Sequence, residues 1–372
     1  MRVLVVNAGS SSVKASVLDA DDTLLVQRDR AVDPEGSFPG LLDAVLDEIF
    51  AAVPVLDAAG HRVVHGGADH RTPLVLEGGA EAALAGLAEL APLHNPPALA
   101  AIARLRTRRP DLVQVACFDT AFHATLPAAA ATFAVPAEWR ALGVRRFGFH
   151  GLSHAWASRR AAELLGRPVA SLRLVTAHLG AGASLAAVEG GRSVDTTMGF
   201  TPLDGLVMAT RSGTVDPGAV LWLQRRLGLG PAEVEDALTR RSGLLGLTGT
   251  TGDLRRVLAD AAGGDPDAGL AVDVYLHRLR GAVAAMAAAT GGTDALVFTG
   301  GAGEHSAWLR QATCDGLGFL GLELDPVRNE GAGGDGPDAV VSPPHAGAAV
   351  VVVHAREDLE IARQVRTALG AP

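Results

Sequence analysis

A turn of very small residues beside the only lysine of the chain is the first feature suited to chemistry. Residues 9–12 are one glycine and three serines, between strand patterns at residues 3–7 and 13–19. Such a turn admits a ligand close to the backbone and offers many donors to phosphate oxygens. Lys14 follows it, whereas every other basic residue counted with it is arginine. An ordinary β-hairpin has the same turn chemistry, so this stretch alone does not decide between them.

Two further small-residue turns follow apolar strand patterns, at Gly180 and at Gly301. At an offset of 171 residues Gly9 aligns with Gly180, which indicates an internal repeat. Three such turns, two of them related by the repeat, favour a polyphosphate clamped between two lobes. The turns match neither a Walker loop nor the dinucleotide pattern, since Ser306 stands where the last glycine of that pattern belongs. A purely structural origin of all three is the alternative.

An acidic residue and two arginines complete the candidate set. Residues 112–118 predict a buried strand, and Asp119 follows at its carboxyl end, where open α/β sheets bind ligands. A carboxylate there suits Mg²⁺, and helix capping is the plainer alternative. Arg62 and Arg211 lie in glycine-flanked or small-residue contexts, and by composition alone neither differs from a solvated surface arginine.

Composition limits the classes of function. The 372 residues favour two domains, and 48% hydrophobic with 20% charged residues fit a globular protein without a membrane span. The net charge of −9 argues against nucleic acid or an anionic membrane as the main partner. An anionic substrate therefore requires locally concentrated positive charge. Two cysteines in apolar contexts and no signal-peptide pattern predict a cytoplasmic protein without disulfides.

The order of the patterns predicts an α/β fold. Each half begins with strand, small-residue turn and strand, so two lobes of similar plan are expected, with the turns facing a cleft. Residues 357–369 predict a terminal amphipathic helix. Residues 329–344, rich in glycine, proline and aspartate, predict a surface loop.

Six strings resemble the acetate kinase family, in order along the chain. They are NAGSSSVK (7–14), GHRVVHGG (60–67), PLHNPP (92–97), FDTAFH (118–123), GFHGLSH (148–154) and MGFTPLDGL (198–206). This acetokinase family belongs to the sugar kinase/heat-shock/actin superfamily, so the resemblance implies two duplicated actin-like, ribonuclease H-like lobes with a cleft between them. It places an N-terminal lobe with the first phosphate turn and the acyl pocket at 1–146, completed by the helix 357–372. A C-terminal lobe with the second phosphate turn and the adenosine site is expected at 147–356.

The resemblance implies reversible transfer of the γ-phosphoryl group of ATP to acetate, giving acetyl phosphate and ADP by direct in-line transfer. A carboxylate nucleophile is already ionised at neutral pH, so no strong general base is required. Catalysis is then mainly positioning and charge neutralisation. Mg²⁺, with Mn²⁺ as an alternative, ATP as co-substrate and a homodimer are also implied.

By resemblance, Arg62 and Arg211 neutralise the acyl carboxylate and the phosphoryl group, and His150 donates to the equatorial phosphoryl oxygens. Asp119 would orient Arg62 or the metal ion. The other implied site residues are Asn7 and Glu357 for the metal; Ser10, Ser12 and Lys14 for the first phosphate turn; His178, Gly180 and Gly182 for the second; Asp253, Leu254, Arg255 and Gly301 for adenosine; and Val64, Leu93, Phe149 and Pro202 for the acetate methyl group.

The chain departs from the family pattern at the second phosphate turn, where Ala181 replaces the usual asparagine. Losing one such donor costs about 2–4 kcal/mol of transition-state stabilisation, so an active but slower enzyme is expected. Ala355 and Arg356 replace the usual threonine and asparagine before the metal glutamate, and His305 replaces an asparagine after the adenosine strand. The chain is also shorter between Lys14 and Arg62.

Three other functions stay open at this stage. A propionate or other short-chain acyl kinase differs by methylene groups that a pocket discriminates by only about 1–3 kcal/mol each. A catalytically weak ATP-binding, actin-like protein or filament protein is the alternative from a different class. An inactive family member with a regulatory role is the third, because Ala181 removes a donor near the phosphoryl group.

Overall fold

A computed structural model of the chain describes residues 1–9, 12–33, 37–87, 89, 91 and 95–371. Its contacts divide it into two compact units. Unit 1 consists of Met1–Ala124, Phe149–Trp156 and Arg356–Pro372, and unit 2 of Thr125–Gly148 and Ala157–Ala355. Within the described residues, no helix combines the length and the hydropathy that a membrane span requires.

Unit 1 contains one mixed sheet of six strands. The strands are β1 (Val3–Ala8), β2 (Ser12–Leu18), β3 (Leu24–Ala31), β4 (Ala58–Val63), β5 (Leu74–Val75) and β6 (Val113–Phe118). Their spatial order is β3-β2-β1-β4-β6-β5. The strands β1, β4 and β6 run parallel, and the remaining pairings are antiparallel.

Unit 2 contains a second sheet of six strands. The strands are β7 (Arg173–Leu179), β8 (Ala183–Glu189), β9 (Arg192–Thr196), β10 (Ala295–Thr299), β11 (Ala339–Val340) and β12 (Ala349–Val352). Their order, β11-β12-β10-β7-β8-β9, is that of the first sheet read from the other edge. The pairing directions also correspond, with β7, β10 and β12 parallel. The expected duplicated, actin-like α/β architecture is therefore confirmed.

The repeat is one residue shorter at its turn in unit 2. The last pair before the turn is Ala8 with Val13 in unit 1 and Leu179 with Ala183 in unit 2. The offset of 171 residues therefore holds for the first strands and becomes 170 for the second. In both turns a glycine N–H donates to a carbonyl across the turn, from Gly9 in one and Gly180 in the other.

Fifteen α-helices connect and cover the strands of the described chain. They are α1 (Phe38–Ala52), α2 (Ala80–Ala85), α3 (Asn95–Arg108), α4 (Ala128–Ala131), α5 (Ala137–Ala141), α6 (Gly151–Leu164), α7 (Pro217–Leu227), α8 (Pro231–Arg240), α9 (Gly243–Thr248), α10 (Leu254–Ala262), α11 (Pro266–Ala289), α12 (Gly300–His305), α13 (Ala307–Asp315), α14 (Pro326–Gly331) and α15 (Glu357–Ala368). Several begin with the signals that the sequence carries. For α11, Asp265 caps the N-terminus and Pro266 occupies the first turn.

The sheet of unit 1 is buried on both faces, which explains the continuous apolar run of β1. Val3 and Val5 pack with Ile361 and Val365 of α15 on one face. Alternate residues of β1, such as Leu4, pack with α1 on the other. The C-terminal helix therefore belongs to the core of unit 1. Its first turn carries three acidic residues, which suits the positive end of the helix dipole.

The division into units differs from the predicted boundary after residue 146. The Arg146 guanidinium donates to the carbonyls of Thr196, Thr197 and Met198, and the Phe147 N–H donates to Gly199. These bonds keep residues 125–148 with unit 2. In contrast, the next segment, beginning at Phe149, groups with unit 1.

The predicted surface loop at residues 329–344 is wrong in part. The structure places the end of α14 and the short strand β11 inside it. Ala339 and Val340 pair antiparallel with β12, in the topological position that β5 occupies in unit 1. This strand has only two residues, both apolar. A segment this short, surrounded by glycines and aspartates, has no periodic pattern from which a strand can be predicted.

The packing between α15 and the first sheet can be tested by a substitution at Gly60. A Cβ added at Gly60 would lie 2.5 Å from Ile361 Cγ2 and 2.7 Å from Val365 Cγ2. We expect Gly60→Ala to lower the free energy of unfolding by about 1–3 kcal/mol through overpacking. Urea unfolding followed by circular dichroism measures it. The control is Gly269→Ala within α11, where a Cβ meets no atom within 4 Å and should be neutral or slightly stabilising. Equal stability of Gly60→Ala and the parent would contradict this packing.

Candidate active site

The centre of the site in unit 1 is Arg62, which lies near the carboxyl end of β4. Asp119 follows β6, and Asn7 lies near the carboxyl end of β1, so three adjacent parallel strands bring these side chains to one edge. Arg62 Nη2 lies 2.6 Å from Asp119 Oδ2, and Nε lies 3.2 Å from Oδ1, a two-pronged ion pair. Arg62 Nη1 also donates to Asn7 Oδ1 at 3.4 Å, and Glu357 Oε2 lies 3.5 Å from Nε.

Burial sets the electrostatics of this cluster. The Asp119 side chain is 1% exposed and that of Arg62 is 21% exposed. Burial, joined by the negative charge of Glu357, raises the pKa of Asp119 above its ordinary value although Arg62 opposes this. Burial also acts to lower the pKa of Arg62, but Asp119 and Glu357 outweigh it and the pKa lies above its usual range. Arg62 is therefore a permanent cation held in one orientation.

The loop that carries His150 is fixed on the backbone of Asp119. The Gly151 N–H donates to the Asp119 carbonyl at 2.9 Å, and a Cβ at Gly151 would lie 2.1 Å from that oxygen, so only glycine fits. His150 has a φ of 56°, a left-handed conformation that is uncommon outside glycine. This hydrogen bond holds the loop against the end of β6. The backbone of His150, the histidine predicted to bind the phosphoryl group, therefore lies close to the backbone of Asp119.

Two of the predicted apolar pocket residues lie in the same unit. Phe149 is buried, and its ring contacts the edge of the His65 ring at a centroid distance of 5.4 Å. Val64 is half-buried directly before His65 in the chain. Leu93, also predicted for this pocket, lies outside the described residues. The structure therefore places Phe149 against His65, the residue that follows Val64 in the chain.

The first phosphate turn is described only in part, because Ser10 lies outside the described residues. The Gly9 N–H donates to the Ser12 carbonyl at 2.9 Å. Lys14 pairs with Asn7 across the hairpin, and its ammonium forms an exposed ion pair of 3.0 Å with Asp29. No local pattern indicated that ion pair, since Asp29 lies on the third strand.

A cavity of about 830 Å³ in unit 2 is lined by five of the ten residues predicted for the nucleotide. Among its lining residues are Gly180 of the second phosphate turn and all four predicted adenosine contacts, Asp253, Leu254, Arg255 and Gly301. These residues come from the β7–β8 turn and from the beginnings of α10 and α12. The volume lies in the range of small-molecule sites.

Two of these residues, Asp253 and Arg255, bind each other in the absence of a ligand. Asp253 caps α10 by accepting from the Arg255 N–H, and its carboxylate pairs with the Arg255 side chain at 2.7 Å. The hydrogen bonds from Arg255 hold the pKa of Asp253 below its usual range. The Arg255 side chain is 88% exposed, so it can exchange this partner for a ligand at little cost.

Sequence reasoning missed Tyr275, which lies on α11 and lines the same cavity. Burial raises the pKa of Tyr275 above its ordinary value, so the phenol stays neutral. It is the only tyrosine of the chain, and that count was the one signal available in the sequence.

The second phosphate turn is short and closely held. The Gly180 N–H donates to the Gly182 carbonyl, and the Ala209 N–H donates to the Ala181 carbonyl. His178 lies one strand position before this turn and pairs in register with Thr299 at the end of β10. Ala181 lines the cavity with only a methyl group, at the place where the family pattern has an amide.

Arg211 is a predicted site residue of unit 2 and is partly buried. Its Nη1 donates to the Pro202 carbonyl at 2.7 Å, which brings these two predicted residues together. Burial alone lowers the pKa of Arg211, because no carboxylate of the described chain is close enough to oppose it. A partly buried guanidinium without an anionic partner is suited to an anionic ligand.

The oxygen atoms around Arg62 are also the candidate metal ligands. Asn7, Asp119 and Glu357 supply oxygens, the donors that Mg²⁺ prefers. In the described part of the chain, no three His, Cys, Asp or Glu side chains are arranged to hold a metal. This donor set fits Mg²⁺ bound by one or two protein oxygens together with waters and nucleotide phosphates.

Comparison with known proteins now decides the family. The profile of the Acetokinase family matches residues 32–363. An acetate kinase of Leifsonia xyli subsp. xyli is 47% identical over 400 residues, which cover 99% of both chains. The chain belongs to the acetokinase family. Two solved structures of acyl kinases are also similar, each covering almost all of both chains. The acetate kinase of Porphyromonas gingivalis is 35% identical with a TM-score of 0.90, covering 99% of each chain, and a propionate kinase of Francisella tularensis subsp. tularensis is 34% identical with a TM-score of 0.89, covering 98% of each.

The charges around Asp119 in this acetokinase-family protein predict how the pKa of its carboxyl group responds to substitutions. Its carboxyl should titrate above the ordinary aspartate value of about 4, because burial and Glu357 disfavour its charge. Arg62→Gln should raise the pKa further by removing the cation. Glu357→Gln should lower it by removing the like charge. A ¹³C carboxyl titration, assigned with Asp119→Asn, measures all three. Shifts of the same sign in both variants would contradict the charge arrangement.

Proposed function

We propose that this protein is an acetate kinase, which reversibly transfers the γ-phosphoryl group of ATP to acetate and forms acetyl phosphate and ADP. Membership of the acetokinase family and the similarity to acetate kinases over the whole chain support the proposal. The observation that carries it is the pair of partly buried arginines, Arg62 and Arg211. Two cations that water screens poorly are what the meeting of a carboxylate and a triphosphate requires.

The reaction needs neutralisation of charge more than proton transfer. An acetate oxygen attacks the γ-phosphorus while the bond to the leaving ADP oxygen breaks in line, and no proton moves because acetate is already ionised. Arg62 and Arg211 are proposed to neutralise the acyl carboxylate and the phosphoryl oxygens. Arg211 lacks a carboxylate partner in the described chain and so enters the reaction with its charge uncompensated.

Asp119 and His150 have supporting roles in the proposal. Asp119 holds Arg62 by two hydrogen bonds, so the guanidinium meets the substrate in one rotamer rather than many. His150 is proposed to donate to the equatorial phosphoryl oxygens. Its backbone conformation is fixed by the contact between Gly151 and Asp119, which removes much of the cost of ordering the loop.

Mg²⁺ is the proposed metal, with Mn²⁺ as an alternative, and ATP the proposed phosphoryl donor. Asn7 and Glu357 would hold the ion, whose chemistry is to neutralise the negative charge of the nucleotide phosphates. The cavity of unit 2 is proposed to take the nucleotide, with Gly180, Gly182 and His178 near the phosphates and Asp253, Leu254, Arg255 and Gly301 near adenosine. Ser10, Ser12 and Lys14 keep their proposed place at the first phosphate turn.

A propionate kinase is the second candidate. The similarity to the propionate kinase of Francisella tularensis subsp. tularensis, at nearly the same TM-score as the acetate kinase of Porphyromonas gingivalis, favours keeping it. Val64, Leu93, Phe149 and Pro202 are proposed to form the pocket for the acyl methyl group. An apolar pocket discriminates one methylene by about 1–3 kcal/mol. The preference is therefore decided by the ratio of kcat/KM for acetate to kcat/KM for propionate.

We propose a homodimer in the cytoplasm. Helix α7 supports the dimer, because Leu221, Trp222 and Leu227 are each more than half exposed and lie on one short helix. Cys117 and Cys314 support the compartment, because both are buried thiols without a disulfide.

Trapping acyl phosphate with hydroxylamine tests the proposal. Purified protein with ATP, Mg²⁺ and acetate should form acetyl hydroxamate, and kcat/KM should fall from acetate to propionate to butyrate. We expect Arg62→Ala and Arg211→Ala each to lower kcat/KM by about 10²–10³-fold, because each removes a cation from a poorly solvated site.

The control for those variants is Arg256→Ala, which removes an exposed arginine paired with Asp260 on α10 and should leave kcat/KM unchanged. Higher kcat/KM for propionate would replace acetate kinase by propionate kinase. ATP binding without any hydroxamate would overturn both and favour an ATP-binding protein.

Restoring the family amide at position 181 is a gain-of-function test. Ala181→Asn should raise kcat at least about tenfold, because it returns a hydrogen-bond donor beside the proposed phosphates. The matched control is Ala181→Leu, which adds similar bulk without a donor and should not raise kcat. Equal turnover of the parent and the asparagine variant would mean that another group already supplies this interaction.

A further inference from the structure

The carboxylate of Glu304 is buried and bonded to a distant part of the backbone. Glu304 is 7% exposed, and its Oε1 accepts from the Ala355 N–H at 2.9 Å. A carboxylate buried to this degree carries a large desolvation cost, so its placement is a strong constraint on what it contacts. The acceptor it supplies holds the backbone directly after the end of β12.

The helix that bears Glu304 also lines the proposed nucleotide cavity. Gly301, Ala302 and His305 of α12 are among the lining residues. Glu304 is on the same helix but is buried, and its carboxylate is bonded to Ala355. One short helix thus lines the cavity with three residues and, through Glu304, binds the backbone at Ala355, three residues after the end of β12.

Two neighbours hold this helix rigidly. Arg310 is 1% exposed and donates to the carbonyls of Gly303 and Glu304, at 2.9 and 2.7 Å, and further to Asn329 and Ala332. Gly333 has no space for a side chain, because a Cβ there would lie 1.8 Å from the Glu304 carbonyl oxygen. These contacts fix the backbone of Glu304. The position of the carboxylate that accepts from the Ala355 N–H is restricted as a result.

The segment held by Glu304 leads directly into the proposed metal residue. The N–H groups of Val353, His354 and Ala355 are bonded in turn to the Phe298 carbonyl, to Asp338 and to Glu304. Two residues after Ala355 comes Glu357, the first residue of α15, whose carboxylate lies 3.5 Å from the Arg62 guanidinium. Only Arg356 lies between Ala355, whose N–H is bonded to Glu304, and Glu357.

We infer that Glu304 is a positioning residue, which ties the nucleotide-binding helix α12 to the backbone that presents Glu357 to the metal ion. The inference rests on the proposed function for the identity of the nucleotide and the metal. Glu304 acts through the hydrogen bond to Ala355 and touches neither substrate. An amide oxygen can accept the same bond, whereas a methyl group cannot.

The experiment compares Glu304→Ala with Glu304→Gln. Mn²⁺ affinity of the protein–ADP complex is measured from the electron paramagnetic resonance signal of free Mn²⁺. ADP affinity without metal is measured by calorimetry in the presence of a chelator. We expect Glu304→Ala to weaken Mn²⁺ binding at least fivefold and kcat at least tenfold, with the metal-free ADP affinity within twofold of the parent. Glu304→Gln should stay within threefold of the parent in every measurement.

The control for general destabilisation is Asp216→Ala, which removes the cap of α7 in the same unit and should lower the melting temperature without changing Mn²⁺ affinity. Unchanged Mn²⁺ affinity in Glu304→Ala overturns the inference. A parallel loss of metal-free ADP affinity also overturns it and makes Glu304 part of the cavity wall. Equal losses in the glutamine and alanine variants overturn the role of the hydrogen bond.

These binding measurements are separate from the test of the proposed function. If the parent binds ADP and Mn²⁺ but forms no acyl hydroxamate, acyl transfer fails and the positioning role still stands or falls on the Mn²⁺ data. If the parent forms hydroxamate and Glu304→Ala binds Mn²⁺ normally, the proposed function survives and this inference does not.

Discussion

The ion pair between Arg62 and Asp119 is the interaction on which the site of unit 1 depends. Its carboxylate is 1% exposed, and a charge at that depth is tolerated only with a well-placed partner. Burial makes the pair expensive and also weakens the screening by water, so the guanidinium keeps one orientation and a strong field. Asp119 serves the neighbouring loop as well, because its carbonyl accepts from Gly151 and so sets the backbone beside His150. One residue at the end of β6 thereby orders a cation and a loop.

The two arginines of the proposed mechanism differ in their surroundings. Arg62 has two carboxylates and an amide around it, whereas the Arg211 guanidinium donates to the Pro202 carbonyl and has no carboxylate partner in the described chain. A cation held by carboxylates is well oriented but partly neutralised. A cation without a carboxylate is less constrained but offers its whole charge to an incoming anion. In a chain of net charge −9, such local arrangement is what makes the binding of two anions physically reasonable.

The duplicated sheets show how one topology serves two purposes. In both units a hairpin with a glycine turn is followed by parallel strands in the same order. In unit 1 the ends of those strands carry Asn7, Arg62 and Asp119. In unit 2 the corresponding ends carry His178 and Thr299, and the glycine turns and α12 that follow line a cavity of about 830 Å³. Charged side chains bonded to one another occupy the strand ends in unit 1, whereas small residues line the cavity in unit 2. The residues at and after the strand ends, rather than the shared topology, therefore determine what each unit does.

The sequence alone determined the strands that carry the site and their carboxyl ends. Local patterns sufficed there, because a buried parallel strand is a continuous apolar run and the residue after it lies at the binding edge. The repeat and the family strings contain Gly180, Arg62 and Asp119, whereas Asp253 was implied by the family resemblance alone. Only the tertiary structure decided that Asp119 binds Arg62 through both carboxylate oxygens, that Tyr275 lines the cavity, that β11 lies within residues 329–344, and that Glu304 accepts from Ala355. Each of these depends on contacts between residues far apart in the chain, and such contacts leave no periodic signal in the sequence.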